Sequence, residues 1–108
     1  MPQVELKYSN DLTFDPKAVL ADIEATIRSH DAGAGETKGR AYPAAEFHRS
    51  HLTIGVEILP KAHRDKAFMD ALSLDLEKTI KAHLTQACVF ALMISFSPET
   101  HISGNFEP

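Results

Sequence analysis

The residue in this sequence best suited to chemistry is a proline at the second position. If Met1 is removed, Pro2 becomes a secondary amine with no carbonyl attached to its nitrogen. An α-amino group has an ordinary pKa of about 7.7–8.0, and that pKa falls when the ammonium form is desolvated or lies beside another cation. A base with a pKa near neutrality suits proton abstraction next to a carbonyl. Pro2 is therefore a candidate general base, whereas a retained Met1 would acylate the nitrogen and abolish its basicity.

Six histidines and one cysteine are the other residues that raise the question of a reactive or metal-binding site. His48-x-x-His51 has no third ligand nearby in the sequence, and the pattern H-E-x-x-H is absent. Cys88 is the only cysteine, so we expect no internal disulfide and no thiolate cluster, but a buried small apolar residue. The sequence therefore predicts no metal site.

Length and composition describe one domain of ordinary globular character. The 108 residues are 44% hydrophobic and 24% charged, with a formal net charge of -4 and no basic block, which makes nucleic acid a poor candidate partner. No apolar run approaches the roughly 20 residues that span a bilayer, and the N-terminus lacks a signal-peptide pattern. We therefore expect no membrane association and a cytoplasmic location.

The first half of the chain predicts a strand, a helix and a second strand. Residues 2–8 alternate apolar and polar side chains, which is typical of a half-buried strand. Asp15 and Pro16 mark a helix start, since aspartate is a good N-cap and proline is tolerated at the first helical position. Apolar residues at helical spacing follow, and glycines at 33 and 35 mark the helix end. Residues 39–47 are predicted as a strand in which Pro43 indicates an edge or a bulge.

The second half repeats this order. A turn at residues 48–50 is predicted to join the second strand in a hairpin to a clearer third strand over 51–59. Helical spacing of apolar residues predicts a helix over about 62–83, and the apolar run 89–96 predicts a buried strand. A polar C-terminal tail begins at Pro98.

An internal similarity suggests that the two halves are related. Residues 22–30 align with residues 75–83 at five identical positions of nine. The predicted fold is α+β, a tandem β-α-β-β-α-β with halves of about 2–47 and 51–97, in which two helices cover one face of a four-stranded sheet. The other face then has no cover within the chain, so we expect self-association.

With Pro2 heading a strand and two β-α-β units in tandem, the chain resembles the tautomerase superfamily, and within it the 5-carboxymethyl-2-hydroxymuconate isomerase family. The resemblance covers nearly the whole chain and includes Met1-Pro2, Gly39-Arg40, His51-x-Thr53 and the tail pattern E-x-H-x-x-x-N-F of residues 99–106. Two features depart from the family pattern. The segment between Arg40 and His51 is short, and Lys61 stands where the family has an arginine.

The resemblance implies a homotrimer whose Pro2 moves a proton in an unsaturated keto or dienol acid during aromatic-compound breakdown, without metal or organic cofactor. Arg40 is then the candidate contact for the carboxylate or dienolate, because a guanidinium binds planar anions through two parallel hydrogen bonds. Lys61 is a second candidate substrate-binding cation. Either cation would also lower the pKa of the Pro2 amine.

Two alternatives remain open from sequence. The short segment before His51 could admit water, so that the same proline would direct hydration, as in dehalogenases or decarboxylases of the superfamily; no additional acid beside the site is apparent to activate that water. The chain could instead be a non-enzymatic trimeric binding protein that kept the fold.

Overall fold

The computed structural model describes all of residues 1–108. Its elements are β1 (Gln3–Ser9), α1 (Pro16–His30), a short 3₁₀ turn (Ala32–Ala34), β2 (Lys38–Ala44), β3 (His51–Ile58), α2 (Lys66–Lys81) and β4 (Val89–Phe96). The predicted order β-α-β-β-α-β is confirmed, as is the four-stranded sheet with two helices.

The sheet order is β2-β1-β3-β4, with β1 and β3 antiparallel at the centre and each outer strand parallel to its neighbour. The predicted hairpin between β2 and β3 is therefore wrong, because β1 lies between them. Each outer strand follows a helical crossover, and such a crossover returns the chain parallel to the strand it left. β2 is an edge strand, as Pro43 indicates, since proline cannot donate to a sheet ladder.

The hydrophobic core lies between the sheet and the two helices. Alternate residues of the central strands point into it, and Leu6, Leu52 and Ile54 have no exposed surface. The helices meet them with one apolar stripe each, which includes Ile23 and Leu72. Burying an aliphatic side chain of this size stabilises a fold by about 1.5–3 kcal/mol, so this layer holds the domain together.

Both helices begin at an aspartate. The Asp15 carboxylate accepts hydrogen bonds from the backbone N–H groups of Lys17 and Ala18 at 3.1 and 3.2 Å, as the sequence predicts. α2 begins four residues later than expected, because Asp65 caps it by accepting the Phe68 N–H at 2.9 Å. The preceding residues form a turn that serves to bury an arginine, as described below.

The segments that align in sequence face each other across the helix pair. Thr26 and Thr79 lie 3.1 Å apart, hydroxyl to hydroxyl. On either side of this contact, His30 Nε2 lies 2.8 Å from Asp75 Oδ2, and His83 Nε2 lies 2.6 Å from Asp22 Oδ2. Reciprocal contacts of this kind are what a sequence repeat arranged about a local two-fold produces.

The expectation of a buried fourth strand is wrong for the single chain. β4 is an edge strand, and Val89, Met93 and Phe96 are 57%, 55% and 44% exposed. The open face, defined here as the sheet face opposite the helices, has no covering layer. Cys88, which precedes β4, is half-buried rather than buried. No helix has the length and apolar character needed to cross a membrane.

Candidate functional site

The N-terminal end of β1 brings charged side chains together on the open face. Gln3 pairs with Lys38 of β2 on one side and with Glu57 of β3 on the other. Directly paired residues of neighbouring strands project on the same side of a sheet, so Lys38, Gln3 and Glu57 form one cross-strand row, called here the charged row. Pro2 immediately precedes this row.

Pro2 is held firmly at the start of β1. It is buried, and its carbonyl accepts a hydrogen bond from the Lys38 backbone N–H at 2.8 Å. Met1, attached to the Pro2 nitrogen, is 59% exposed and lines a cavity of about 760 Å³, called here the N-terminal cavity. Loss of Met1 would therefore leave the proline nitrogen beside this cavity.

The wall of the N-terminal cavity combines the charged row with the C-terminal tail. The tail contributes residues 101–105, which belong to the E-x-H-x-x-x-N-F pattern. Two hydrogen-bonding contacts hold the start of the tail. The Ser97 N–H, directly after β4, donates to the Ile58 carbonyl at 2.8 Å. His101 Nδ1 lies 2.7 Å from the Pro98 carbonyl. The sequence pattern therefore marks a segment that does lie near Pro2.

Arg40 lies on the same open face, two residues further along β2. It lines a second cavity of about 230 Å³, which shares Gln3 and Glu57 with the N-terminal cavity. Its Nη2 donates to Glu5 Oε1 and its Nε to the Tyr42 hydroxyl, both at 2.8 Å. These hydrogen bonds, chiefly that to Glu5, raise the pKa of Arg40 above its already high value. The guanidinium is thus charged and held in place.

A close helix contact positions this part of β2. A Cβ at Gly39 would lie 2.9 Å from Leu20 Cδ2 of α1. Glycine therefore lets the strand pass directly beneath the helix, with Lys38 and Arg40 turned to the open face.

Lys61 is not brought to this site within one chain. It is exposed on the loop between β3 and α2 and lines neither cavity. The cation buried in this loop is Arg64, which donates through Nε and Nη2 to Asp31 Oδ2 at 3.0 and 2.8 Å and through Nη1 to the Leu59 carbonyl. Arg64 ties the loop to the end of α1, so its role is structural.

Lys38 and Glu57 are residues of this site that sequence reasoning missed. The expectation that no additional acid lies beside the site is wrong, because Glu57 lines both cavities. Alternation along β2 would have put Lys38 on the face of Arg40, but Glu57 could be placed only with the antiparallel register of β1 and β3. The incorrect hairpin pairs β3 with β2 instead of β1, so it gives no basis for placing Glu57 beside Gln3.

Four of the six histidines have partners outside both cavities, whereas His101 lines the N-terminal cavity. Three of them lie within hydrogen-bonding distance of an aspartate, and His51 Nδ1 lies 2.7 Å from the Arg49 carbonyl. No three histidine, cysteine, aspartate or glutamate side chains are arranged to hold a metal ion.

Solved structures share this fold over nearly the whole chain. A 5-carboxymethyl-2-hydroxymuconate delta-isomerase superposes with a TM-score of 0.73 at 17% identity, over 99% of this chain and 89% of that one. A 5-carboxymethyl-2-hydroxymuconate isomerase from Deinococcus radiodurans R1 gives 0.69 at 19% identity, over 96% and 90%. A fused 4-OT wild-type symmetric trimer gives 0.71 at 17% identity, over 94% and 90%.

No family model and no curated protein sequence matches the chain. The structural likeness therefore rests on the fold, and the resemblance of this fold to that of tautomerase-superfamily members is confirmed.

Proposed function

We propose that this protein is a cofactor-independent isomerase that moves a proton in an unsaturated keto or dienol carboxylic acid, with Pro2 as general base and acid. The observation that carries the proposal is the position of Pro2, which heads a central strand and adjoins a cavity lined by the charged row. The tautomerase fold supports it, because neighbours with this fold are isomerases. The resemblance further suggests a cytoplasmic role in aromatic-compound breakdown.

The reaction requires Pro2 to be a free amine. From an unsaturated keto acid its nitrogen removes a proton from a carbon next to the carbonyl, and the electron pair of the broken C–H bond passes through the conjugated system to the carbonyl oxygen. From a dienol it removes the hydroxyl proton, and the electron pair of the broken O–H bond stays on the oxygen. Either way a dienolate forms, and the same nitrogen, now an ammonium, protonates it at a carbon other than the atom that lost the proton. Base and acid are one group, so no net proton is consumed.

Arg40 is proposed to stabilise the carboxylate or dienolate. Of the five N–H donors of its guanidinium, two are used by Glu5 and Tyr42, which leaves three for an anion. A side chain already held in one orientation loses little entropy on binding. Preorganised donors of this kind are effective where negative charge develops.

Lys61 is proposed as a second anion contact. Because it lies away from the N-terminal cavity of its own chain, this role requires the cavity of an adjacent copy. We accordingly propose a homotrimer, supported by the exposed apolar side chains of β4 and by a neighbouring fold described as a symmetric trimer. Light scattering should show a trimer at micromolar concentration, and a monomer would refute this part.

The test of the function is turnover by protein whose intact mass shows that Met1 has been removed. Absorbance changes on 2-hydroxymuconate-type dienols are compared for wild type, Pro2→Ala and Lys17→Gln, an exposed change on α1 that controls for handling. We expect loss of nearly all activity in Pro2→Ala alone. Equal rates in wild type and Pro2→Ala would refute the function, and a permanently retained Met1 would favour the non-enzymatic binding protein.

One observation favours a second candidate, a hydratase-type dehalogenase or decarboxylase. Glu57 lines the N-terminal cavity, and a carboxylate there can take a proton from an attacking water. Product analysis on halo-acrylates and malonate-type acids decides the matter. Halide or carbon dioxide release that Glu57→Gln abolishes would establish it, and the absence of both products would remove it.

A further inference from the structure

We propose that the N-terminal cavity selects an acid with a single carboxylate, bound at Lys38, whose far end is neutral rather than a second carboxylate. This inference rests on the proposed function and names its substrate class. It is drawn from the distribution of charge over the charged row and its neighbours.

Lys38 is the cation of this cavity that has no anionic partner. Its side chain is exposed, lines the cavity and forms no ion pair within the chain. Arg40, by contrast, forms an ion pair with Glu5 at 2.8 Å. The backbone of Lys38 is fixed to the Pro2 carbonyl, so the lysine and the proline keep a constant separation. A substrate carboxylate at Lys38 is therefore bound next to the proposed base, and the role left to Arg40 is to stabilise the dienolate.

Glu57 lies at the opposite end of the charged row. Because neighbouring strands lie about 4.8 Å apart, the Cα atoms of Lys38 and Glu57 are separated by roughly 10 Å, with Gln3 between them. Glu57 forms no ion pair either, although it lines both cavities. The cavity thus has a positive end and a negative end.

The two charges of the charged row cancel, because Lys38 lies at one end and Glu57 at the other. Outside the row, Glu5 is shared by Arg40 at 2.8 Å and Lys7 at 3.9 Å. A monocarboxylate can lie with its anion at Lys38 and its neutral end towards Glu57. A dicarboxylate in the same position brings its second charge to Glu57, and the two like charges repel each other more strongly the less water separates them.

The first test compares two six-carbon dienols that differ only at the far end, 2-hydroxyhexa-2,4-dienoate and 2-hydroxymuconate. We expect wild type to prefer the monocarboxylate by about fivefold or more in kcat/KM, from the repulsion above. Glu57→Gln should remove most of this preference by improving use of the dicarboxylate. Glu46→Gln, which removes an exposed carboxylate from the loop between β2 and β3, is the matched control. An unchanged preference in Glu57→Gln would overturn the proposal.

The lysine is tested in the same way. Lys38→Gln should raise KM for both acids by about tenfold or more, as expected for loss of a charge-assisted contact, whereas Lys17→Gln should leave KM unchanged. Lys38→Arg should restore binding, because it restores the charge. If Lys38→Gln leaves KM for both acids at the wild-type value, the carboxylate is bound elsewhere and the proposal is wrong.

A binding measurement separates this inference from the proposed function. Calorimetric titration with the saturated acids 2-oxohexanoate and 2-oxoadipate requires no turnover. Tighter binding of 2-oxohexanoate to wild type, reduced by Lys38→Gln, supports the selectivity even if Pro2→Ala shows that the isomerase proposal is wrong. If wild type binds the two acids with equal affinity, and Glu57→Gln does so too, the selectivity is refuted even if the isomerase activity is present.

Discussion

The two faces of the sheet differ in almost every property. The helix-covered face is aliphatic, and its side chains, among them Leu6, Ile54 and Val56, are 1% exposed or less. The open face carries the charged row, Arg40 and Glu5, and both cavities described above adjoin it. The same two central strands supply both faces, because successive residues of a strand point in opposite directions. We therefore expect residues that stabilise the fold and residues that bind substrate to alternate along these strands, and substitutions should separate the two groups.

The largest expected effect lies on the covered face. Leu72→Ala should destabilise the protein by about 2–5 kcal/mol, because it removes buried methyl groups and leaves a cavity. The free energy of unfolding is measured in urea, with Thr53→Ala on the open face as the control. Where Leu72→Ala is still folded, its kcat/KM should remain close to that of wild type. A loss of kcat/KM in the folded variant would contradict the division between the two faces.

Arg40→Ala should lower kcat/KM strongly while changing the free energy of unfolding little. Loss of a charge-assisted hydrogen bond costs about 1.5–3 kcal/mol, or roughly ten- to more than a hundredfold in kcat/KM. The limb of the pH–rate profile governed by the base should also move to higher pH, because Pro2 would hold its proton more tightly. Lys61→Ala should cost less, since one compact charge matches a carboxylate poorly.

The stability of Arg40→Ala provides the comparison with the covered face. Its ion pair with Glu5 is more than a third exposed on both sides, so we expect a change of less than about 1 kcal/mol in the free energy of unfolding. A pH–rate series identical to that of wild type would show that Arg40 is only a surface residue.

Low pH should reduce the stability of the protein through Asp31, at the end of α1, rather than through the open face. Hydrogen bonds from His63 and Arg64 lower the pKa of Asp31 from 3.8 to about 2. The folded state therefore favours the carboxylate, which stabilises the protein by about 2 kcal/mol above pH 4. That stabilisation is lost as the pH falls from about 4 towards 2. Asp31→Asn should remove the effect at pH 7 and flatten this part of the stability profile; a profile as steep as that of wild type would contradict it.

The smallest effect concerns the repeated helix contacts. The pair His30–Asp75 is 24% and 44% exposed, and exposed pairs contribute about 0.2–1 kcal/mol. A double-mutant cycle with His30→Ala and Asp75→Ala should give a coupling energy in that range, and the cycle for His83 and Asp22 should give a similar one. A coupling in one pair alone would show that the two contacts are not equivalent.

The sequence predicted those features that depend on local pattern. Alternation identified β1, β-branched residues followed by Pro60 identified β3, and Asp15 with Pro16 identified the start of α1. Prediction from the sequence failed where a feature depends on contacts with residues distant in the chain. The hairpin was wrong because nothing between residues 45 and 50 reveals that β1 separates β2 from β3. α2 was predicted to begin too early because the burial of Arg64 against Asp31 depends on a contact 33 residues away.

The sequence predicted only part of the candidate site, again because some of its residues meet through contacts distant in the chain. Pro2 and Arg40 could be selected by their chemistry and by resemblance, whereas Glu57 became visible only with the pairing of β1 and β3. β4 resembled a buried strand because an apolar run does not distinguish burial within a chain from exposure at its surface.

The proposed reaction depends on the Pro2 nitrogen being a free base beside the N-terminal cavity, and titration of that nitrogen examines this property without any substrate. Protein labelled with ¹⁵N-proline and confirmed by intact mass is followed by NMR from pH 4 to 10. We expect the Pro2 nitrogen to titrate as an amine with a pKa below the ordinary range of about 7.7–8.0, because Lys38 and burial disfavour its ammonium form, and we expect Lys38→Gln to raise this pKa. A Pro2 nitrogen that does not titrate, as in an amide to a retained Met1, would show that Pro2 is not the base.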